Sequence, residues 1–595
     1  MTDGGELVAR ALERHGVRTL FTLCGGHVSP ILVGAKARGL RVIDVRDEAS
    51  AVFAADATAR LTGGVGVAVV TAGPGVTNAI TAVKNAQLAQ SPIVLFGGAT
   101  ATVLKGRGAL QDIDQLSLLD STVKRTLVAR RVRELPELVD EAVAAALSGV
   151  PGPVFVEVPV DLLYREELVR DWYGGKGGGG IGGWLVSRYL GWHVDRLFRG
   201  VDDVAEEGAG ERAGPARPEP PAPDGRDVAR AAKRLRRARR PVLLVGAQAM
   251  LSAGRPDGPA PAARLAEAVE ALGVPTYLAS SARGLLGPDA PLQVRHHRRE
   301  ALREADLVLL AGVPADFRLD YGRQIGRRAA VVAANLSGEE MTKNRRADLA
   351  VHADPARFLV ALAEEVGGRG GPPERWGRWR ETLAERDRER DEEIAAKAGA
   401  AAAASNGGGV DPLALCRAID RAMADDAVIV ADGGDFVATA SYVVRPRGPL
   451  GWLDPGVFGT LGVGGGFALA AKACRPEAEV WLLWGDGSAG FSLAEIDTCA
   501  RHGLPVIAVV GNDAGWTQIA REQVEVLGDA VGTELARTDY HAVAEGYGGA
   551  GILVEREEEV EGALARARQL AAAGRPVVVN VHLGSSDFRK GSISM

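Results

Sequence analysis

Short runs of apolar residues alternate with longer amphipathic stretches along most of the chain. In the first part of the sequence, four runs rich in β-branched and other apolar side chains end in glycine or polar residues; they occupy residues 19–23, 41–45, 66–71 and 91–96. Runs of this length between turn signals are typical of buried strands. Because a helix-length stretch separates most of these strands, we predict a parallel sheet covered by helices on both faces.

The same alternation returns twice further along the chain. It fills residues 1–165, 226–366 and 409–595, so we predict an α/β protein with three doubly wound parallel-sheet domains. Two segments of different composition separate these domains. Residues 166–225 form a linker rich in glycine and proline, and residues 367–408 form a charged helical linker. Mixed charges are typical of a solvent-exposed face, so we assign no chemistry to the charged linker.

The first linker contains apolar and aromatic residues at helical spacing, in residues 183–200. Charged residues interrupt this stretch at four positions: Arg188, Asp195, Arg196 and Arg199. Those charges argue against a helix that spans a bilayer. We expect the helix to pack against the rest of the chain or against a partner subunit. A helix lying on a membrane surface is the alternative, but membrane contact is not the favoured interpretation.

Two acidic residues follow two neighbouring strands of the last predicted domain. Residues 480–484 form an apolar run that ends in Gly-Asp-Gly, a helix is expected over residues 491–501, and a second apolar run ends at Asp513. The carboxyl ends of parallel strands open on one edge of a sheet, so Asp486 and Asp513 can converge there. Two carboxylates and a backbone carbonyl suit Mg²⁺ that carries a diphosphate. The alternative is a pair of ordinary turn aspartates.

The spacing of these residues resembles the GDG…NN signature of thiamine-diphosphate (ThDP) enzymes, because Asn-Asp follows the GDG motif after twenty-four residues. The resemblance implies that Asp486, Asp513 and the main-chain carbonyl of Gly515 bind Mg²⁺. Asp513 stands where the family usually has asparagine. It keeps an oxygen ligand, so we expect metal binding to survive. Asn512 remains open as the metal ligand.

Three motifs of the first domain resemble the pyrimidine-binding domain of ThDP enzymes such as acetolactate synthase. They read FTLCGGH, RDEASAVFAADATAR and TAGPGVTNAITA. The resemblance implies that Glu48 hydrogen-bonds N1′ of the cofactor's aminopyrimidine and promotes proton removal from C2 by the 4′-nitrogen. The resemblance also implies that Gly25, Gly26 and Asn78 line the pocket that binds the cofactor. The alternative interpretation of Glu48 is a carboxylate at a helix start.

Three further residues are candidates for contact with the substrate. Gln111 falls where relatives place a residue that faces the substrate, and it is our candidate for contacting the reacting carbonyl or hydroxyl group. His27, beside the glycine pair, is a candidate donor to a substrate hydroxyl. Glu495, on the helix after GDG, is a candidate for proton handling. A surface glutamine, a structural histidine and a structural helix carboxylate are the respective alternatives.

Other segments of the last domain resemble cofactor-binding turns of the same family. The turn with Gly434, Asp435 and Phe436 lies beside the diphosphate in relatives. The Gly459 carbonyl would accept a hydrogen bond from the 4′-amino group, and Leu461, where the family has methionine, would be the apolar wedge that bends the cofactor. The remaining cofactor-binding candidates are Gly485, Gly487, Ser488 and Trp516.

The substrate prediction also follows from the resemblance. Segments such as WTQIAREQV and DFRKGSIS resemble the 2-hydroxyacyl-CoA lyase type of ThDP enzyme. This implies cleavage of a 2-hydroxyacyl-CoA into formyl-CoA and a shortened aldehyde or ketone, or the reverse condensation. The alternatives are an acetolactate-synthase-type carboligase acting on 2-oxoacids and a catalytically silent scaffold.

The middle domain of such relatives holds either FAD or the ADP part of CoA; a CoA ester is favoured here and FAD is possible. Arginines near predicted strand ends could pair with phosphates, and so could basic residues of the C-terminal tail. The strand-end candidates are Arg283, Arg318 and Arg323, and the tail candidates are Arg589 and Lys590.

Composition and charge narrow the remaining possibilities. The net charge of −6 argues against a general nucleic-acid surface, which would be basic. Four cysteines without paired spacing fit a reducing compartment, and the first residues lack a signal-peptide pattern, so we expect a cytoplasmic protein. The resemblance implies a homodimer or homotetramer with active sites between subunits.

Overall fold

A computed structural model describes residues 3–174, 180–207, 217–404, 408–586 and 588–589. The chain divides into two compact units. Unit 1 comprises residues 1–59 and 64–218, and unit 2 comprises residues 60–63 and 219–595. The predicted tail contact of Lys590 lies outside the described residues.

Unit 1 is built on a parallel sheet of six strands in the order β2-β1-β3-β4-β6-β5. The strands are β1 Thr19–Leu23, β2 Arg41–Asp44, β3 Gly66–Val70, β4 Ile93–Ala99, β5 Arg125–Val128 and β6 Val154–Pro159. The helices are α1 Gly4–Arg14, α2 Ser29–Ala37, α3 Glu48–Thr62, α4 Pro74–Ala89, α5 Gln115–Leu119, α6 Leu135–Leu147, α7 Glu166–Gly174, α8 Gly180–Phe198 and α9 Val201–Glu207. Strands β3, β4 and β6 are fully buried, as strands covered on both faces must be.

Unit 2 contains two parallel sheets, and the first has the order β11-β10-β9-β7-β8. Its strands are β7 Pro241–Val245, β8 Thr276–Leu278, β9 Leu307–Ala311, β10 Ala330–Asn335 and β11 Leu349–His352. Its helices are α10 Gly225–Arg237, α11 Ala247–Met250, α12 Ala262–Leu272, α13 Arg298–Glu304, α14 Pro355–Gly367 and α15 Gly377–Ala404. The long helix α15 joins this part to the rest of the unit: Trp379 packs in the core of this sheet, whereas Ile394 packs against Leu413.

The second sheet of unit 2 has the order β13-β12-β14-β15-β17-β16. Its strands are β12 Val428–Asp432, β13 Trp452–Leu453, β14 Val480–Gly485, β15 Ile507–Asn512, β16 Ala550–Val554 and β17 Val577–His582. Its helices are α16 Pro412–Ala422, α17 Asp435–Val443, α18 Val463–Cys474, α19 Asp486–Ser492, α20 Glu495–Arg501, α21 Thr517–Leu527, α22 Tyr540–Gly546 and α23 Val560–Ala572.

The predicted α/β class with three doubly wound parallel sheets is confirmed, but one local prediction is wrong. The helix expected over residues 491–501 begins at Asp486 and is interrupted after Ser492, so it forms α19 and α20. The expectation that helix α8 packs against the chain or a partner subunit holds for its C-terminal half, which packs against unit 1. Within the described ranges, no helix combines the length and apolar character that a membrane span requires.

Candidate active site

The order of strands in unit 1 creates a switch point between β1 and β3, where the connections run in opposite directions and ligands of α/β folds commonly bind. Thr71, which sequence reasoning did not single out, fills the space between the loops at this point. A Cβ added to Gly25 would lie 2.4 Å from the Thr71 Cβ, and one added to Gly75 would lie 2.9 Å from its Cγ2. The glycines are therefore needed for the loops to close around Thr71.

Glu48 is the first residue of α3, and it is buried at the same edge of the sheet. Its Oε2 accepts a hydrogen bond of 3.1 Å from Nδ2 of Asn78, the predicted pocket residue on α4. A Cβ added to Gly75 would come within 3.4 Å of the Glu48 Oε1. A buried carboxylate with one oxygen fixed by an amide is suited to sharing a proton at its other oxygen.

His27 and Gln111 lie near this edge as well. The His27 Nδ1 is 3.2 Å from the Thr71 Oγ1, and burial lowers the pKa of His27, so the ring is neutral near pH 7. Gln111 has a left-handed backbone (φ +63°), and its Cβ lies 3.0 Å from a Cβ added to Gly73. Unit 1 therefore brings together Gly25, His27, Glu48, Thr71, Asn78 and Gln111. Gly26 is exposed beside them, and its carbonyl accepts a hydrogen bond from Tyr164.

A buried polar network supports these loops, and sequence reasoning missed it. The Gln115 side chain accepts from the Gly73 N–H at 3.0 Å and donates to the Gly98 carbonyl at 2.9 Å and to Glu157 at 3.0 Å. Lys105 pairs with the other Glu157 oxygen at 2.5 Å. These bonds tie the loop after β3 to the segment that carries Gln111.

The second sheet of unit 2 has its switch point between β12 and β14. The two loops touch there, since a Cβ added to Gly433 (φ +150°) would lie 2.8 Å from the Gly485 nitrogen. Gly434 caps α17, and Asp435 begins that helix and pairs with Arg521 at 2.7 Å. The Phe436 ring is buried against Gly511 in the core, so a cofactor contact at Phe436 would use its backbone.

Asp486 and Asp513 lie at the ends of neighbouring strands β14 and β15. The Asp486 carboxylate accepts from the Gly487 N–H at 2.7 Å and from the Gly515 N–H at 3.2 Å. Burial and the nearby Asp513 carboxylate raise the pKa of Asp486 to about 6, and burial also raises the pKa of Asp513. A buried and a half-buried carboxylate that repel each other fit a divalent cation, which would relieve that repulsion.

The chemistry of these donors suits Mg²⁺ in particular. The Asn512 amide is engaged inside the fold, where it donates to the Thr538 carbonyl and to Asn580, each at 3.2 Å. Among the described residues, no group of three or more His, Cys, Asp or Glu side chains is arranged to hold a metal ion. A cation bound by Asp486 and Asp513 would therefore also be coordinated by the carbonyl oxygen of Gly515 and by oxygens of a phosphate ligand.

The remaining cofactor candidates of this sheet have distinct surroundings. The Trp516 ring covers Gly487, where an added Cβ would lie 2.4 Å from it. The Ser488 hydroxyl is bonded to Asp432. Gly459 is exposed with φ +65°, and Leu461 is half-buried two residues further on.

Asp432, at the end of β12, holds the glycine-rich segment that follows Leu461. Its two oxygens accept from the Gly462 and Gly464 N–H groups at 3.2 and 2.8 Å, and the Trp484 ring also donates to it. Burial raises the pKa of Asp432 to about 7. This carboxylate fixes the backbone on which the predicted wedge stands.

Glu495 is buried inside unit 2. It accepts from the Thr498 hydroxyl at 2.7 Å, and a Cβ added to Gly465 would lie 2.8 Å from its Cγ. Its carboxylate is therefore held between α20 and the first turn of α18.

Unit 2 also contains a cavity of about 820 Å³ between its two sheets, which we call the arginine cavity. Its wall carries one acidic residue, Glu300, and seven arginines: Arg283, Arg295, Arg298, Arg299, Arg318, Arg390 and Arg589. Phe317 and Tyr442 expose aromatic rings to it. Such a wall suits a ligand with several negative charges and a flat ring.

The three strand-end arginines have different surroundings. Arg318 lines the cavity while its guanidinium pairs with Asp316 at 2.7 Å. Arg283 donates to the Ser441 carbonyl at 2.9 Å and lies over the Trp452 ring. Arg323 is exposed and is not part of the cavity wall.

The charged helix α15 contributes to the cavity, so the predicted solvent-exposed face does not extend over the whole helix. Arg390 lines the wall, and Asp387 accepts from the backbone N–H groups of Arg295 and His296 at 2.8 and 2.6 Å. Asp391 lies 2.9 Å from the His296 Nε2. These contacts join residues about ninety positions apart in the chain, so no local pattern could have revealed them.

Comparison with known proteins places all three sheets within one kind of enzyme. The N-terminal TPP-binding domain of thiamine pyrophosphate enzymes matches residues 2–118, the central domain matches residues 228–362, and the C-terminal TPP-binding domain matches residues 432–581. Thiamine pyrophosphate and ThDP are the same cofactor.

Individual relatives are similar over almost their whole length. "2-Hydroxyacyl-CoA lyase 2" of Danio rerio is 48% identical over 599 residues, which cover 100% of this chain and 93% of that protein. The human protein of the same name is also 48% identical, with 92% of it covered. "Acetolactate synthase large subunit IlvG" of Mycobacterium tuberculosis is 34% identical over 97% of this chain and 95% of that protein.

Proposed function

Because the chain belongs to the thiamine-diphosphate enzyme family, we propose that it is a carbon–carbon lyase that cleaves a 2-hydroxyacyl-CoA into formyl-CoA and a shortened aldehyde or ketone. The full-length similarity to 2-hydroxyacyl-CoA lyase 2 supports this substrate class. The reaction needs no oxidant: the bond between C1 and C2 breaks, the hydroxyl proton leaves with formation of the carbonyl group, and a proton is added to C1.

The arginine cavity is the observation that best supports a CoA ester as the substrate. The ADP part of CoA has a diphosphate and a 3′-phosphate, and guanidinium groups bind such oxygens with paired hydrogen bonds. Arg298 and Arg299 stand at the start of α13 in the cavity wall. Phe317 and Tyr442 provide faces on which an adenine ring could stack.

The cofactor and its metal would be held by residues of the two described sheet edges. Asp486, Asp513 and the Gly515 carbonyl would bind Mg²⁺ and through it the diphosphate, beside the turn at Gly434. When bound, ThDP supplies a thiazolium carbon that stores the electron pair of the breaking bond. Glu48 would hold a proton at N1′ of the pyrimidine, and Asn78 would orient its carboxylate.

Two residues of unit 1 would act on the substrate itself. His27 is neutral near pH 7, so a free ring nitrogen can accept the proton of the 2-hydroxyl group while Thr71 orients the ring. The Gln111 amide can donate to the thioester oxygen. Its position depends on the network around Gln115, which holds the neighbouring Gly73 loop.

We also propose that the chain works as a homodimer or homotetramer. In this family the pyrimidine and diphosphate domains that share one cofactor come from different subunits, so a dimer would be the smallest active form.

The decisive experiment is a pair of assays on the purified protein with ThDP and Mg²⁺. We expect formyl-CoA to be released from a 2-hydroxyacyl-CoA and little acetolactate to form from pyruvate. The opposite pattern would favour the carboligase, for which the similarity to acetolactate synthase provides the basis. Absence of both products would favour a silent scaffold. A visible spectrum of the pure protein tests for FAD as the occupant of the arginine cavity.

A matched pair of variants tests the CoA site separately from the chemistry. Arg298→Gln removes a cavity guanidinium, so KM for the CoA ester should rise about tenfold or more, whereas kcat changes little. Arg323→Gln alters an exposed arginine outside the cavity and should leave KM unchanged. Equal KM values for the two variants would show that the cavity does not hold the CoA ester.

A further inference from the structure

Helix α8 is attached to unit 1 by its C-terminal half only. Val194, Leu197 and Phe198 are buried in the core of the unit. His193 adds a polar attachment, because its Nε2 lies 2.7 Å from the Thr102 hydroxyl, which is bonded to the buried Asp161. Among the described residues toward the other end of α8, Leu190 is the last side chain that packs against this core, and it is only partly buried.

The N-terminal part of α8, residues 181–192, exposes large apolar side chains instead. We call it the free half of α8. Six such side chains are 47–81% exposed: Ile181, Trp184, Leu185, Val186, Tyr189 and Trp192. Single exposed apolar residues are ordinary on a protein surface, but a contiguous set marks a binding surface.

The charges around the free half indicate what it binds. Residues 172–194 contain no aspartate or glutamate, although the whole chain carries a net charge of −6. The cations in this range are Lys176 and Arg188. Acidic residues return only at the attached end, where Asp195 pairs with Arg170 and Asp202 and Asp203 begin α9. The free half is therefore apolar and carries one cation, Arg188, whereas the attached half carries Asp195 together with Arg196.

We propose that the free half of α8 docks on a membrane surface that contains anionic lipids. Tryptophan and tyrosine favour the boundary between headgroups and acyl chains, and nearby cations attract anionic headgroups. The Arg188 guanidinium lies 5.4 Å from the centre of the Trp184 ring, so it can extend along the ring toward a headgroup while the ring is inserted. A second copy of this chain is the alternative occupant, and the molar mass of the variants without vesicles distinguishes it from a membrane.

The test is co-sedimentation of the full chain with vesicles. We expect the wild-type protein to sediment with phosphatidylcholine vesicles that contain about 30% phosphatidylglycerol, and to bind pure phosphatidylcholine several-fold more weakly. Trp184→Ser combined with Leu185→Ser should reduce binding about tenfold or more. Val33→Ser combined with Leu88→Ser changes two exposed apolar residues elsewhere in unit 1 and should bind as the wild type does.

Three results would overturn the proposal. The wild-type protein could remain in the supernatant with both kinds of vesicle, or the Trp184/Leu185 variant could bind as well as the wild type. The third is a fall in the molar mass of the Trp184/Leu185 variant by sedimentation equilibrium without vesicles, which would make the free half a contact between subunits. None of these measurements depends on catalytic activity, so the proposal stands or falls independently of the proposed lyase reaction.

Discussion

Glu48 is buried, yet it keeps one oxygen beside a glycine rather than a bulky side chain. Because Gly75 leaves space next to Oε1 and Asn78 holds Oε2, a ring nitrogen could approach the free side of the carboxylate. We predict that Glu48→Gln still binds ThDP and Mg²⁺ by calorimetry but loses turnover by about 100-fold or more, since an amide cannot exchange the proton. Asp47→Asn, an exposed neighbour, is the control. Turnover at the wild-type level in Glu48→Gln would remove Glu48 from the mechanism.

Asp432 should change how the stability of the folded protein depends on pH. Its pKa is raised by burial from 3.8 to about 7, so the native state holds the proton more tightly than the unfolded chain. Its contribution to stability is therefore largest at low pH and is lost as pH rises through about 4 to 7.

The test is to measure the melting temperatures of the wild type and of Asp432→Asn between about pH 4 and pH 7. The asparagine has no such proton, so the variant should lose less stability with rising pH, with a difference on the order of 2–4 kcal/mol between the two ends. Asp425→Asn, at an exposed position before the same strand, should follow the wild-type curve. Parallel curves for Asp432→Asn and the wild type would show that Asp432 ionises as an ordinary carboxylate.

At the scale of elements, the prediction from sequence was best where local pattern and tertiary structure agree. Strand β1 was placed at its observed residues because an apolar run ends at a glycine pair. The start of α19 was misplaced because Gly487 and Gly490 are poor helix formers. Trp516 packs on Gly487 and so supplies a tertiary reason for glycine within that helix.

At the candidate site, too, the sequence predicted the residues that a local pattern marks and missed those whose role depends on tertiary contacts. Strand ends and glycine motifs indicated Glu48, Asp486 and Asp513, because each follows or lies near a predicted strand. Gln115 and Asp387 were not predicted, since their roles come from contacts with residues distant in sequence. The periodicity of apolar and polar positions along the chain does not predict such contacts.

Helix α15 should influence substrate affinity through the loop that it supports. Asp387→Ala removes the acceptor for the Arg295 and His296 N–H groups, so the loop before α13 should become less ordered. We expect KM for the CoA ester to rise about tenfold with kcat nearly unchanged, as measured by steady-state kinetics. Glu389→Ala, an exposed change on the same helix, should have no effect. A fall in kcat alone would contradict this role.

At the scale of the whole molecule, the proposed sharing of active sites can be tested by mixing inactive chains. Glu48→Gln and Asp486→Asn should each abolish activity when expressed alone. When they are co-expressed, mixed dimers contain one site with both native residues, so activity should recover to about a quarter of the wild-type value. No recovery, despite mixed dimers in native mass spectrometry, would mean that each chain builds its own site.

The arginine cavity also affects how the protein should be handled at the bench. Guanidinium groups around one space repel each other, and burial together with the nearby Arg318 lowers the pKa of Arg298. Inorganic phosphate and sulfate would occupy the same donors as a nucleotide diphosphate. Kinetics recorded in phosphate buffer would therefore understate affinity for any polyanionic ligand, and a zwitterionic buffer with chloride salts is the better choice.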